Sequence, residues 1–100
     1  MKPLPPPHPG ETLLEDVLKP LNMSVNQMAK HLGVTAARLN DIVRGRRGIT
    51  ADTALRLSRY LGTSPRIWIN LQAYYDLKIA ELKAGPEIAR TVKPRAKDAA

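Results

Sequence analysis

Apolar positions recur along this chain with the period of a helix, and no stretch alternates with the period of two that marks a half-buried strand. Leu13, Leu14, Val17 and Leu18 make the first stripe. Pro9 stands where that helix can begin, Glu11 falls in its first turn, and Pro20 stops it. Ser24 is a suitable N-cap for a second helix with Val25, Met28, Ala29 and Leu32 on one side, closed by Gly33 as the left-handed residue beyond its end. After Val34 alone, Thr35 caps a third helix running to about Arg44, its inner side formed by Ala36, Leu39, Ile42 and Val43. Gly45 ends it. Thr50 caps a fourth helix with Ala54, Leu57 and Leu61 inside, and Gly62 ends that one. Ser64-Pro65 pairs a cap with proline at the first helical position, which starts a fifth helix. That helix is expected to reach about Ala84, where Gly85-Pro86 should break it. The pattern predicts an all-α domain of five helices with short connections.

Residues 1–7, with Pro3, Pro5, Pro6 and Pro7, read as a flexible arm, residues 8–84 as the folded domain, and residues 85–100 as a flexible basic tail. The chain has 100 residues, enough for one domain of thin stability that a dimer interface would help.

Two short helices joined through Gly33-Val34-Thr35 are the signature of a helix-turn-helix, here spanning about residues 24–44. The third helix has an outer face of Ala37, Asp41 and Arg44, flanked by Arg38 and Asn40, small at its leading end and polar beyond. Such a face suits the major groove of DNA, about 12 Å wide. Ala36 and Ala37 allow close approach, Asn40 can bond adenine, and Arg38 can bond guanine. Asp41 is expected to orient Arg38 or Arg44.

Charge sharpens this picture by its location. The net charge is +7, of which residues 35–66 carry +5, and every basic residue in that third is arginine. Arginine presents a planar fork suited to phosphates. Arg44, Arg46 and Arg47 directly follow the third helix and are placed to clamp phosphate oxygens, while Gly45 and Gly48 let the backbone come close. The aromatics Tyr60, Trp68, Tyr74 and Tyr75 lie outside this basic corner, which disfavours a single-stranded RNA reader.

The fifth helix is apolar most of the way round, so one side should cover the bundle and the other a partner. A two-fold homodimer is the simplest partner, with Trp68 in the core and Tyr75, Ile79 and Leu82 as interface candidates.

Other chemistry is sparse. There is no cysteine, which excludes disulfides and thiol catalysis and fits a reducing cytoplasm. The N-terminus lacks the apolar core of a signal peptide, and no stretch is long enough to span a membrane. His8 sits in the proline arm and His31 ends a short helix, neither beside a nucleophile or a ligand partner. No catalytic, metal or cofactor site is expected.

The stretch GVTAARLNDIVRGRRGITADTALRLSRYLGTSPRIWINLQAYYDL, together with HPGE at residues 8–11, resembles the HigA (VapI-like) antitoxins of the Xre group of lambda-repressor-like DNA-binding domains. The resemblance covers about residues 8–80. It implies a five-helix lambda-repressor-like bundle, a dimer, and repression of the protein's own operon at an inverted repeat. It also implies neutralisation of a RelE-like messenger-RNA-cleaving toxin, and a cytoplasmic, nucleoid-associated location. The family's recognition positions fall on Thr35, Ala36, Ala37, Arg38 and Asn40, with Arg44, Arg46 and Arg47 as backbone contacts. Related phage repressors often carry glutamines where this chain has Ala36 and Ala37, which leaves fewer direct base contacts here. Because such toxins are basic, the acidic face of Glu11, Glu15 and Asp16 is the expected docking surface. A solitary Xre-type repressor without a toxin is the alternative.

Overall fold

A computed structural model describes residues 4–96. Five α-helices follow in order: α1 (Pro9–Leu13), α2 (Val25–Leu32), α3 (Ala36–Val43), α4 (Ala51–Leu61) and α5 (Pro65–Thr91). A π-helical turn, Leu14–Leu18, continues α1. The widening lies one turn before Pro20, which has no N–H to offer the Asp16 carbonyl. The wider ladder instead closes through Lys19 N–H to the Leu14 carbonyl at 3.0 Å and Met23 N–H to the Leu18 carbonyl at 2.9 Å.

The capping residues stand where the sequence puts them. Ser24, Thr35, Thr50 and Ser64 each accept a backbone N–H from the first turn they precede. Gln27 completes a capping box with Ser24, each side chain bonding the other's backbone N–H. Gly33 and Gly62 end α2 and α4 with φ of +70° and +75°, a region most side chains avoid.

The inward faces converge on one core of Leu13, Leu18, Met28, Ala29, Leu32, Leu39, Ile42, Ile49, Ala54, Leu57 and Trp68. Burying such side chains stabilises the fold by about 1.5–3 kcal/mol apiece. α1 packs on α3 and α5, α2 on α3 and α4, and α4 on α5. This cage holds α3 on its inner side and leaves its other side free.

The fifth helix corrects an expectation. It does not stop at Ala84 but runs through Gly85-Pro86 to Thr91. A proline ring normally clashes with the Cβ of the residue before it and drives that residue out of the helix. Gly85 has no Cβ, which removes that part of the clash, and the helix continues. Among the described residues no helix is long and apolar enough to cross a membrane.

Candidate nucleic-acid interface

The corner between α2 and α3 is fixed by its own backbone. Gly33 N–H donates to the Lys30 carbonyl at 3.2 Å, and Val34 N–H reaches back to the Ala29 carbonyl at 3.1 Å. Thr35 Oγ1 then accepts from Arg38 N–H at 3.1 Å and starts α3. Leu39 and Ile42, fully buried, seat α3 in the core. α1 supports it from behind. A Cβ on Gly10 would lie 1.7 Å from the Ile42 carbonyl oxygen, so only glycine lets the two backbones approach this closely.

The HPGE segment is therefore an α1 start built for contact with α3. His8 is its N-cap, with Nδ1 accepting from Gly10 N–H at 2.9 Å. Pro9 follows, buried, at the first helical position. The His8 ring meets Tyr75 of α5 edge-on at 4.9 Å. Burial pulls the His8 pKa below its ordinary 6.5, against the opposing pull of the Asp76 carboxylate. Neutral imidazole is the form that can accept the Gly10 proton.

The residues singled out on α3 divide into two groups. Thr35 and Ala37 are exposed at its leading end, whereas Ala36 is partly buried against the core. Asn40 is half-buried, and its Nδ2 donates to the Ala36 carbonyl at 3.1 Å. Arg38 is committed to the protein. Its Nη2 donates to Asp52 Oδ1 at 2.7 Å and to Thr53 Oγ1 at 2.6 Å, leaving the side chain 25% exposed. The carboxylate that orients Arg38 is thus Asp52 of α4, not Asp41. Asp52 sits across the α3–α4 groove with a hydroxyl beside it, a better match to a guanidinium than one carboxylate a turn away. Asp41 instead lends its main-chain carbonyl to Arg46 N–H and Arg47 N–H, at 2.8 and 3.2 Å.

Asp52 also accepts from Arg56 Nε at 2.7 Å, and Arg56 Nη1 donates to the Leu32 carbonyl at 2.9 Å at the end of α2. Hydrogen bonds from Arg38 and then Arg56 hold the Asp52 carboxyl below its usual pKa. The chain Arg38–Asp52–Arg56–Leu32 ties α2, α3 and α4 together around the corner. The Asp52/Arg56 spacing of four residues is visible in the sequence as a same-face pair, but the link to Arg38 fourteen residues away is not.

The basic loop follows at once. Arg44, Arg46 and Arg47 are all exposed. Gly45 has φ +76° and turns the chain back against the His8 ring, and Ile49 plugs the end of the loop into the core. Gln72 of α5 holds the same segment, its Oε1 accepting from Ile49 N–H at 2.7 Å. Periodicity alone does not single out Gln72.

On α5, Trp68 is in the core, Tyr75 is half-buried against the His8 ring, and Ile79 is half-buried. Leu82 is exposed, but the more exposed apolar line is Ile67, Tyr74 and Leu77, at 50%, 56% and 58%. Glu11, Glu15 and Asp16 are exposed, and Lys19 Nζ lies 2.5 Å from Glu15 Oε2. His31 stacks on Tyr60 with ring centres 4.7 Å apart, beside the free side of α4.

Known proteins share this arrangement. The helix-turn-helix family HTH_3 matches residues 14–68. Virulence-associated protein I of Dichelobacter nodosus is 55% identical over 78 residues, covering 78% of this chain and 72% of that protein. An addiction module antidote protein of a HigA family from Coxiella burnetii superimposes with a TM-score of 0.87 at 48% identity, covering 92% of this chain and 100% of that one. The Pseudomonas aeruginosa antitoxin HigA, solved with the higBA promoter, gives 0.89 at 43% identity over 91% of this chain and 99% of that one. A five-helix cage with a free third helix, matched along nearly its whole length by such proteins, makes this chain a member of the helix-turn-helix family in its HigA (VapI-like) antitoxin branch.

Proposed function

We propose that this chain is the antitoxin of a type II toxin–antitoxin module and that, as a homodimer, it represses its own operon by binding an inverted repeat in the operator. The observation that carries the reading is an exposed, small-headed helix followed at once by exposed arginines. Thr35 and Ala37 lead α3, and Arg44, Arg46 and Arg47 follow its last turn. In the major groove the methyl group of Ala37 meets a thymine methyl, Ala36 keeps the leading end small enough for close approach, and Asn40 exchanges the Ala36 carbonyl for an adenine edge. Arg38, engaged by Asp52 and Thr53, sets the tilt of α3 rather than reading a base. Arg44, Arg46 and Arg47 bond phosphates on the ridge beside the groove and fix register. The pairing of the P. aeruginosa relative with its promoter supports DNA as the partner.

The homodimer forms through α5. Its apolar outer line of Ile67, Tyr74 and Leu77, continued by Leu82, is what a second copy covers. Tyr75 and Ile79, half-buried, serve the interface from beneath. The second partner is a toxin, in keeping with the addiction module antidote relative, and its class is the RelE-like ribonuclease that the family resemblance implies. Its basic surface docks on Glu11, Glu15 and Asp16, which are exposed.

The test is co-expression with the neighbouring open reading frame, pull-down, and titration of the upstream duplex against salt. A dimer making about eight phosphate contacts gives a log–log slope near −7. A slope near zero, or equal competition by RNA, would remove the DNA reading. Charge reversal at Glu11, Glu15 and Asp16 is expected to release toxicity while leaving DNA binding intact, and full neutralisation by that variant would move the toxin elsewhere.

A further inference from the structure

The arginine loop is held at its start by backbone bonds to the end of α3, with Arg46 N–H and Arg47 N–H on the Asp41 carbonyl, but those bonds do not reach Gly48. Arg44 to Gly48 contains two glycines and three exposed arginines, and only Ile49 enters the core. Like charges crowd this loop, so its unconstrained ensemble is broad and extended. Beyond those backbone bonds, what opposes that lies on another element. Gln72 Oε1 accepts the Ile49 N–H at 2.7 Å, and Gln72 Nε2 donates to Asp76 Oδ1 at 2.9 Å one helical turn on. Both ends of the carboxamide are thereby used, which sets which atom faces the loop. Gly48 lies flush on the same carboxamide, for a Cβ there would come within 3.1 Å of it. His8 closes the other flank, 3.7 Å from where a Gly45 Cβ would stand. Together these groups line a hollow of about 420 Å³ beneath the loop.

We infer that Gln72, oriented by Asp76, is a positioning residue for DNA binding: it fixes the Arg44–Gly48 loop so that Arg46 and Arg47 meet the phosphate ridge together. The inference rests on the DNA-binding reading above. It also means that the helix carrying the dimer face is bonded to Ile49, the residue that anchors the end of the phosphate clamp. Rearrangement along α5 therefore reaches DNA affinity through one side chain, without passing through α3.

The experiment compares the full chain with Gln72→Leu, Gln72→Glu and the double variant Gln72→Glu with Asp76→Asn. Leucine removes both bonds. Glutamate alone keeps an acceptor for Ile49 but sets two carboxylates side by side. The double variant exchanges donor and acceptor at constant total charge and rebuilds both bonds. Affinity for the upstream duplex is measured against salt, alongside a scrambled duplex, sedimentation and thermal melting. For Gln72→Leu the slope is expected to shrink by about 2–4, and affinity at 0.1 M salt to fall roughly 100-fold or more. The operator-to-scrambled ratio stays within about twofold, since α3 is untouched. The double variant recovers the wild-type slope, and Gln72→Glu does not. An unchanged slope in folded, dimeric Gln72→Leu overturns the inference. So does a loss of slope that comes with lost dimerisation or an equal loss of sequence discrimination, and so does failure of the double variant to recover. A wild-type chain with no salt-dependent binding would instead remove the DNA reading itself, whatever the variants do.

Discussion

At the scale of single residues, glycine and histidine carry more of the architecture than their size suggests. Helix propensity alone says that Gly10→Ala should stabilise α1 by up to about 1 kcal/mol. The contact decides otherwise, because the new methyl would sit 1.7 Å from the Ile42 carbonyl oxygen. Backbone on backbone cannot yield as a flexible side chain does. The variant is expected to lose about 3 kcal/mol, which in a domain this small lowers the melting midpoint by on the order of 10–20 °C. Thermal unfolding followed by circular dichroism checks it. His8 makes stability depend on pH. Its folded pKa lies below 6.5, so between the two values the unfolded chain binds more protons and stability rises with pH. The contribution is complete above pH 6.5 and is lost as pH falls through the folded value. His8→Asn keeps a capping acceptor without a titrating ring. Denaturant midpoints between pH 7 and pH 5 should fall further for the wild-type chain than for that variant.

At the scale of elements, capping chemistry was the most legible part of the sequence. Ser24, Thr35, Thr50, Ser64, Gly33 and Gly62 mark helix ends by local hydrogen bonds and φ preferences, so neighbouring residues suffice to find them. The far end of α5 was not legible, because proline is read as a stop and the exemption granted by Gly85 depends on a missing atom. The π-helical turn before Pro20 was likewise hidden, since its ladder differs from an α-helix by one residue. Within the interface, the basic loop and the inner face of α3 could be read from spacing. The partners of Arg38 and of Ile49 N–H could not, for Asp52 and Gln72 lie 14 and 23 residues further on. Pro86 offers a test at this scale. Pro86→Ala restores a backbone donor inside α5 and is expected to raise amide-exchange protection over residues 86–91. The local gain is up to about 3 kcal/mol, while the global melting midpoint moves little because, among the described residues, none beyond Leu71 packs into the core.

At the scale of the whole molecule, α5 is the long axis. Twenty-seven residues make a helix about 40 Å long, in a molecule with a greatest extent of 55 Å. One side of it covers the cage, and the other exposes Ile67, Tyr74 and Leu77. Leu77→Lys should leave the cage folded, since this side chain is 58% exposed, and convert the proposed dimer to a monomer in sedimentation. DNA binding should weaken at least 100-fold, because two half-sites no longer share one binding event. The salt slope should drop from about −7 to about −3.5. A monomer with an undiminished slope would show that each chain alone makes all the phosphate contacts.

The wedge formed by His8, Pro9 and Gly10 has a consequence for the lifetime of the protein. Pro5 and Pro7 are exposed, and the backbone from Leu4 to Pro7 forms no regular element, so cleavage within this segment is expected to leave the cage undisturbed. One cut more removes the cap of α1 and loosens the support behind α3. Trimming would then be silent across residues 4–7 and abrupt at His8. Operator occupancy would become a clock that reads the progress of a protease in whole steps instead of by degrees.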